Sequence, residues 1–258
     1  MLKRTFLTSL SLALLAAPAI EAQEATLGTD RPDFVEAAAT VGKNRFQIET
    51  SIAGDRTSAG GFTTTNIVTP TLFRYGFADQ WELRVETAGY GLMSFTGTGV
   101  DISGSGFNDV DVGVKFNSSA GGDGAPAIGW LVHFTLPIGS ADFKGNDVVP
   151  SFRAVAEWEL PSDMAFGIMP GIFYGDGGYV GGIFGAVLGK GLTDDLRAFV
   201  EVAVEQFAST DFDGNIAAFD VGGAYLLGPL AQIDLAVSLG LTENTPDLAW
   251  TVGFSKLW

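Results

Sequence analysis

The 258-residue chain has no cysteine and a single histidine, His133. Without cysteine it can form neither a disulfide framework nor a thiolate metal site. Basic residues are also scarce, with 14 Lys and Arg against 30 Asp and Glu and a net charge of −16. Non-specific nucleic-acid binding requires clustered positive charge, so we predict no nucleic-acid partner. The sequence carries no nucleophile, zinc-protease or phosphate-loop motif, and we predict no enzyme activity, no catalytic residue, no cofactor and no metal.

Long apolar runs are absent after residue 22, where no stretch approaches the ~20 residues of a membrane-spanning helix. Hydrophobic residues nevertheless make up 47% of the chain, charged residues only 17%, and the mean hydropathy is +0.27. There are 35 glycines and 20 phenylalanines. Apolar content spread over short segments indicates strands that are apolar on one face.

The N-terminus has the three-part layout of a secretory signal. Lys3 and Arg4 precede an apolar run over 6–17, and small residues follow up to Ala22. The run is too short to cross a bilayer. We predict a signal peptide over residues 1–22 and export of the remaining chain.

The hydrophobic pattern after this region has a period of two, as in strands whose side chains alternate between two faces. In WELRVET (81–87), DVDVGVKF (109–116) and QIDLAVSLGL (232–241), apolar residues alternate with polar or charged ones. About twelve such segments occur, near 45–52, 64–75, 81–88, 109–116, 126–136, 150–160, 164–174, 179–190, 196–207, 215–227, 231–241 and 248–258.

Short turns alternate with longer loops between these segments, which is typical of an outer-membrane barrel with an even strand count. The sequence therefore predicts an all-β fold, a transmembrane antiparallel up-and-down β-barrel over 45–258. We expect about 12 strands, with 10 as the alternative, and both termini on the periplasmic side. A soluble β-sandwich is the competing fold, but its exterior would need more charged residues than this chain has. The predicted location is the outer membrane of a Gram-negative cell, with its lipid as a partner.

The last strand ends in large apolar residues where chain ends are usually polar. Trp250, Val252, Phe254 and Trp258 resemble the C-terminal signal by which bacterial outer-membrane proteins are recognised for assembly. Lys256 departs from that pattern. We therefore expect the outer-membrane assembly machinery as a second partner.

Five stretches resemble a known family: 29–49 (beginning TDRPDF), 74–86, 107–116, 134–140 and 232–254. They are similar to the family named "Putative MetA-pathway of phenol degradation", whose members are described as outer-membrane transporters. The resemblance implies a porin-like or uptake barrel and, through the family name, passage of hydrophobic or aromatic compounds. It implies no catalytic or binding residues.

The charged faces of the predicted strands would line the lumen. The candidate lumen-lining residues are Arg74, Glu82, Arg84, Glu86, Asp109, Asp111, Lys115, Arg153, Glu157, Arg197, Glu201, Glu205 and Asp234, and the same alternation adds Glu49, His133, Glu159 and Asp220. Acidic residues outnumber Lys and Arg eleven to five in this set. The charges either pair structurally across strands or form a selective path, and the acid surplus predicts a weak cation preference.

Two segments have no clear place in the strand pattern. Residues 23–44, with Asp30, Arg31 and Asp33 around a proline, form either a periplasmic or a lumen segment, and we expect an ordered segment near the periplasmic mouth. The loop predicted over 89–108 either folds inward as a constriction or reaches outward.

The predicted function is an outer-membrane porin-like channel or transporter for small-molecule solutes, including hydrophobic or aromatic compounds. The alternatives are a structural or adhesive barrel without transport and, less favoured, an outer-membrane hydrolase. A hydrolase would have to rely on the lone His133 as its base.

Overall fold

The computed structural model describes residues 27–175, 178–207 and 214–258. The predicted signal peptide lies outside the described residues, as does the start of the 23–44 segment. None of the described residues belongs to a helix that could cross a membrane. The described residues form fifteen strands: β1 (Phe46–Ala59), β2 (Phe62–Val68), β3 (Thr71–Ala78), β4 (Trp81–Thr87), β5 (Tyr90–Gly97), β6 (Val100–Phe107), β7 (Val110–Gly122), β8 (Ala125–Leu136), β9 (Val149–Leu160), β10 (Met164–Tyr174), β11 (Val180–Gly191), β12 (Leu196–Phe207), β13 (Ile216–Leu226), β14 (Ala231–Gly240) and β15 (Leu248–Leu257).

Twelve of these strands form one closed antiparallel ring. The ring runs β1, β3, β4, β7 and then β8 to β15 in chain order, and β15 pairs with β1 from Gln47↔Leu257 to Arg56↔Leu248. Closure gives every strand two neighbours, so the backbone groups of the ring are paired without a free edge. The prediction of a twelve-stranded barrel is confirmed, and the alternative of ten strands is wrong.

The other three strands extend one side of the barrel beyond its rim. β2, β5 and β6 continue β3, β4 and β7 past breaks at 69–70, 88–89 and 108–109, and they pair in the order β1-β2-β5-β6. At the first break Pro70 has no N–H for a ladder, and at the second Gly89 has a φ of +72°.

The prediction of a loop over 89–108 is therefore wrong. Its residues form the β5–β6 hairpin, paired from Tyr90↔Phe107 to Gly97↔Val100. Gly, Ser and Thr suggest turn chemistry in isolation, but β-branched Thr suits a strand, and pairing with β2 satisfies one edge of this hairpin.

The two ends of the barrel differ. At the turn end, connections of two to four residues join the strands, at 79–80, 123–124, 161–163, 192–195 and 227–230. Both ends of the described chain lie there, since the Leu27 amide donates to the Pro229 carbonyl in the 227–230 turn and the Phe46 amide at the start of β1 donates to the Trp258 carbonyl, both at 3.2 Å. The loop end carries longer connections, such as 137–148, and the β2–β5–β6 extension.

The barrel is apolar outside and polar inside. On β3, Phe73, Tyr75 and Phe77 point outward and are about two-fifths exposed, while Leu72 and Arg74 between them are buried. The predicted C-terminal signal follows the same rule, with Trp250, Val252, Phe254 and Trp258 all exposed on the outer face. An apolar outer band around a closed sheet is the arrangement that lipid tails require. The sandwich alternative is wrong, since the described strands form a single closed sheet.

Candidate functional site

The centre of the barrel is occupied by residues 27–45, called here the luminal segment. It enters at the turn end, where the Leu27 amide donates to the Pro229 carbonyl at 3.2 Å, and leads back into β1 at the same end. Between these points it lies inside the ring, and its Val35, Ala38 and Val41 are 5, 0 and 7% exposed. The segment therefore fills the middle of the lumen.

Glutamates of the barrel wall bind the free backbone amides of this segment. An irregular chain in an enclosed interior has no ladder partner, so its N–H groups need other acceptors. Glu49 accepts from the amides of Asp30 and Arg31, Glu201 from Phe34 and Val35 (both 2.7 Å), Glu157 from Ala38 (2.6 Å) and Glu82 from Val41 (2.9 Å). Four strand carboxylates thus position the segment through its backbone, by charge-assisted hydrogen bonds.

A buried ion network fixes the segment to one side of the wall. Arg84 on β4 contacts Asp30 at 2.6 Å, Glu36 at 2.7 Å and Glu82 at 2.9 Å, and Lys115 on β7 reaches Asp30 at 2.9 Å. None of these side chains is more than 8% exposed. Arg74 on β3 completes the network through Glu49 and Glu82, both at 2.9 Å. Three wall cations and two segment carboxylates therefore share one dry cluster.

The two segment carboxylates stay ionised in this cluster. Burial alone raises the pKa of Asp30, but Arg74, Lys115 and Arg84 outweigh it and hold that pKa well below its usual range. For Glu36, burial opposes Arg84 and Arg153, and these arginines lower its pKa to about 2. Both groups are therefore charged, and the ion pairs intact, at neutral pH.

The opposite side of the segment is held less tightly. Arg197 on β12 binds both carboxylate oxygens of Asp33 at 2.6 and 2.9 Å, but its side chain is 40% exposed. Arg31 reaches Asp234 on β14 at 3.2 Å. Breaking an ion pair that is open to solvent costs much less than breaking a dry, hydrogen-bonded one. The ion pairs are therefore asymmetric, dry at β3, β4 and β7 and open to solvent at the Arg197–Asp33 pair of β12.

Part of the lumen wall is apolar. Val35 and Ala38 of the segment pack in a cluster of buried residues from the wall, with Phe34 against its edge. The wall residues of this cluster are Leu131, Val155, Met169, Ile183, Val187, Phe199 and Ala236. The inner face from β8 to β12 therefore offers an apolar surface beside the charged one.

Cavities remain on both sides of the segment. Toward the loop end, cavity A has a volume of about 610 Å³ and cavity B about 320 Å³; toward the turn end, cavity C has about 450 Å³. Asp33 lines all three cavities. The segment around Asp33 is thus the partition between the two halves of the lumen.

The structure places most of the sequence-predicted lumen residues around this segment. Those that contact it directly are Arg74, Glu82, Arg84, Lys115, Arg153, Glu157, Arg197, Glu201 and Asp234. Glu86, Asp111 and Glu205 line cavity A. Among the described residues, none of the three makes a hydrogen bond or ion pair with the luminal segment.

Asp109 does not fit the predicted alternation. It lies at the break between β6 and β7, where its carboxylate accepts from the Gly139 amide at 2.8 Å and the Gly145 amide at 2.7 Å. It fixes the 137–148 connection at the loop end. The break interrupts the alternation one residue before β7 begins, which the sequence pattern did not reveal.

Sequence reasoning missed the acids that complete the site, Asp30 and Glu36, as partners of the wall arginines. It also missed Gln47 on β1, whose side-chain amide donates to the Gly28 carbonyl and to Glu49. A usable signal was present, since the non-strand segment places charges at 30, 31, 33 and 36 among apolar residues. Such a pattern suits a chain that has to bind a charged interior.

Comparisons with known proteins agree with this architecture. The model of the family described as "Putative MetA-pathway of phenol degradation" matches residues 29–255. The COG4313 outer membrane channel from Pseudomonas putida F1 superposes with a TM-score of 0.68 at 12% identity, covering 86% of this chain and 98% of that one. No curated protein sequence matches significantly.

Two further solved structures share the architecture less closely. The KdgM porin in complex with disordered oligogalacturonate gives a TM-score of 0.52 at 10% identity, covering 81% of this chain and 98% of that one. The translocator domain of the autotransporter NalP from Neisseria meningitidis gives a TM-score of 0.52 at 12% identity, covering 82% of this chain and 87% of that one. At such identities the likeness establishes the barrel fold.

Proposed function

The chain belongs to the family of the "Putative MetA-pathway of phenol degradation", and from this premise and the lumen geometry we propose that it is an outer-membrane channel for small solutes. The observation that carries the proposal is the pair of lumen halves that meet at Asp33. A barrel that served only as a scaffold would need no cavities of 610 and 450 Å³ on opposite sides of an internal partition.

The luminal segment sets the resting width of the path. Wall carboxylates bind its amides and buried arginines bind its acids, so it constricts the barrel at its middle. Solutes would pass beside Asp33, where the contact to Arg197 is open to solvent, and not through the dry cluster at Arg84. We expect a low conductance that rises when the segment is removed.

The orientation and export of the barrel are part of the proposal. Short turns and both termini at one end match the periplasmic side of outer-membrane barrels, which places the loop end and the β2–β5–β6 extension outside the cell. The proposal also includes export by the signal peptide and recognition of the last strand, β15, by the assembly machinery. The exposed rings of Trp250, Phe254 and Trp258 support that strand's contact with the membrane interface.

Hydrophobic and aromatic compounds fit the apolar side of the lumen. Phe34, Val35 and Phe199 form part of the apolar cluster, and Val35 also lines cavity C. A ring crossing the partition would therefore contact apolar side chains on one side and charged groups on the other.

The test is conductance and solute uptake by the purified mature protein. In planar bilayers, deletion of 27–44 is expected to raise single-channel conductance severalfold, because the segment occupies the middle of the lumen. The matched control shortens the β5–β6 hairpin across 92–105, which lies beyond the rim and leaves the lumen unchanged. Liposome swelling with sugars, amino acids and small aromatics then reports the solute class. No swelling with any solute, in the full-length protein or the deletion variant, would overturn the channel and favour the structural barrel.

A further inference from the structure

Cavity B is lined by carboxylates and by no basic side chain among the described residues. It lies between the tip of the luminal segment and strands β1 and β12–β15, on the loop-end side. Asp33, Asp55, Glu205 and Asp220 all border it. Asp33 is paired with Arg197, so three acids without an ion pair among the described residues border a space of about 320 Å³ and make it negative.

The nearby cations bind other partners than Glu205 and Asp220. Arg197 contacts Asp33, and the Arg31 guanidinium contacts Asp234 and the Thr251 hydroxyl. Within the described part of the chain, no ion pair reaches Glu205 or Asp220. Both carboxylates border the cavity.

Asp220 adds an observation that is independent of the count of acids. It is 7% exposed, it lines the cavity, and its Oδ1 atom is buried without a hydrogen-bond partner among the described residues. A buried carboxylate oxygen without a partner is costly. A cationic donor entering cavity B would remove that cost.

The other lining residues of cavity B indicate what kind of cation fits. Apolar lining comes from Phe34, Pro32, Pro246 and four alanines, Ala203, Ala218, Ala236 and Ala249, and the hydroxyls of Ser238, Thr245 and Thr251 complete the wall. An aromatic face attracts a cation directly, and small apolar side chains leave room for an apolar body. In the described residues no group of three acids is arranged to hold a metal ion, so the geometry favours an organic cation.

We propose that cavity B is a binding subsite for small organic ammonium ions. Glu205 and Asp220 receive the ammonium group, while Phe34 and the alanine walls contact its apolar body. The inference rests on the proposed channel, since a subsite in the lumen selects solutes only if solutes enter. It narrows the expected solutes from aromatic compounds in general to those that carry a positive charge.

The test is isothermal titration calorimetry with three one-ring probes of matched size: benzylammonium, benzyl alcohol and benzoate. The mature protein is kept in maltoside micelles, because choline-type detergents would compete for the site. We expect benzylammonium to bind at least tenfold more tightly than benzyl alcohol, and benzoate not to bind. The Asp220→Asn variant keeps the side-chain shape and is expected to weaken benzylammonium binding about tenfold, while Asp101→Asn, an exposed change on the β2–β5–β6 extension, leaves it unchanged.

Equal affinity for benzylammonium and benzyl alcohol would overturn the subsite, as would unchanged binding by Asp220→Asn. Calorimetry does not require an open pore, so failure of the channel is separately visible. Ammonium binding without any conductance in planar bilayers would refute the channel and keep the subsite. Conductance without ammonium-selective binding would refute the subsite alone.

Discussion

Replacing Arg84 by alanine should release the luminal segment. The Arg84 guanidinium contacts four partners, namely Asp30, Glu36, Glu82 and the His133 ring nitrogen, at distances between 2.6 and 3.0 Å. Its side chain is 1% exposed, so its charge lies in a site largely shielded from solvent. The variant leaves Asp30, Glu36 and Glu82 crowded beside Arg74 and Lys115, with Arg153 still paired to Glu36 at 2.6 Å.

The expected magnitude follows from that burial. Removing one partner of a buried pair costs about 3–5 kcal/mol, because the other charge stays uncompensated. At about 1.4 kcal/mol per factor of ten, this shifts the equilibrium between the bound and the released segment by roughly two to three and a half orders of magnitude. Arg197→Ala provides the comparison: its pair with Asp33 is solvent-open and is expected to contribute at most about 1 kcal/mol.

The assay is single-channel recording with the 27–44 deletion as the reference for an empty lumen. Arg84→Ala should spend a large fraction of time at the conductance of the deletion variant, and Arg197→Ala should show only brief openings to it. Heat-modifiable migration in unboiled gels checks that each barrel is folded. If folded Arg84→Ala conducts like the parent protein, or opens no more than Arg197→Ala, the asymmetric anchoring of the luminal segment is refuted.

Three further predictions concern the same lumen. Glu201→Gln replaces one of the two oxygens that accept from the Phe34 and Val35 amides by a donor group. We expect hydrogen exchange of these two amides, measured by mass spectrometry, to become about tenfold faster, and the melting temperature of the barrel to change little. In Gly76→Ala the new Cβ would clash with the Gly42 carbonyl oxygen, so we expect a loss of about 1–3 kcal/mol in urea unfolding, whereas Gly189→Ala, with no atom nearer than 3.7 Å, should be tolerated. Reversal potentials in a KCl gradient should show a weak cation preference, and an anion-selective channel would contradict the charge distribution of the lumen.

The strands were predictable because their signal is local. The alternation of 81–87 and 109–116 placed Glu82 and Lys115 on one face and Leu83 and Val114 on the other, and the β4–β7 register pairs them accordingly. The period of two assigns each side chain to a face without knowledge of the neighbouring strand. Closure of the ring also followed, because an apolar outer face in lipid permits no free edge.

The extension and the luminal segment were less accessible for a physical reason. Both depend on partners that are distant in sequence: β5 is a strand because β2 lies beside it, and Asp30 is buried because Arg74, Arg84 and Lys115 surround it. Neither environment leaves a periodic pattern in the segment itself. Most of the charges that the alternation assigns to inner strand faces lie around the luminal segment, but the sequence could not show what they bind.

The surplus of acids in the lumen has two separate physical roles. At the level of the luminal segment, Glu49, Glu82 and Glu201 are acceptors for its backbone, and Glu49 and Glu82 also share Arg74, so they belong to the partition itself. Toward the loop end, Glu205 and Asp220 border open space without a cationic partner among the described residues. In the proposed orientation, a solute that enters from outside the cell meets the negative field at the loop end before it reaches the partition. The acids near the loop end then determine the ion preference, and salt screens their field over about 10 Å at roughly 0.1 M. The dry ion pairs at Arg84 determine the width of the path. The two properties should separate experimentally, with high salt abolishing the ion preference while the conductance gained by deleting the segment remains.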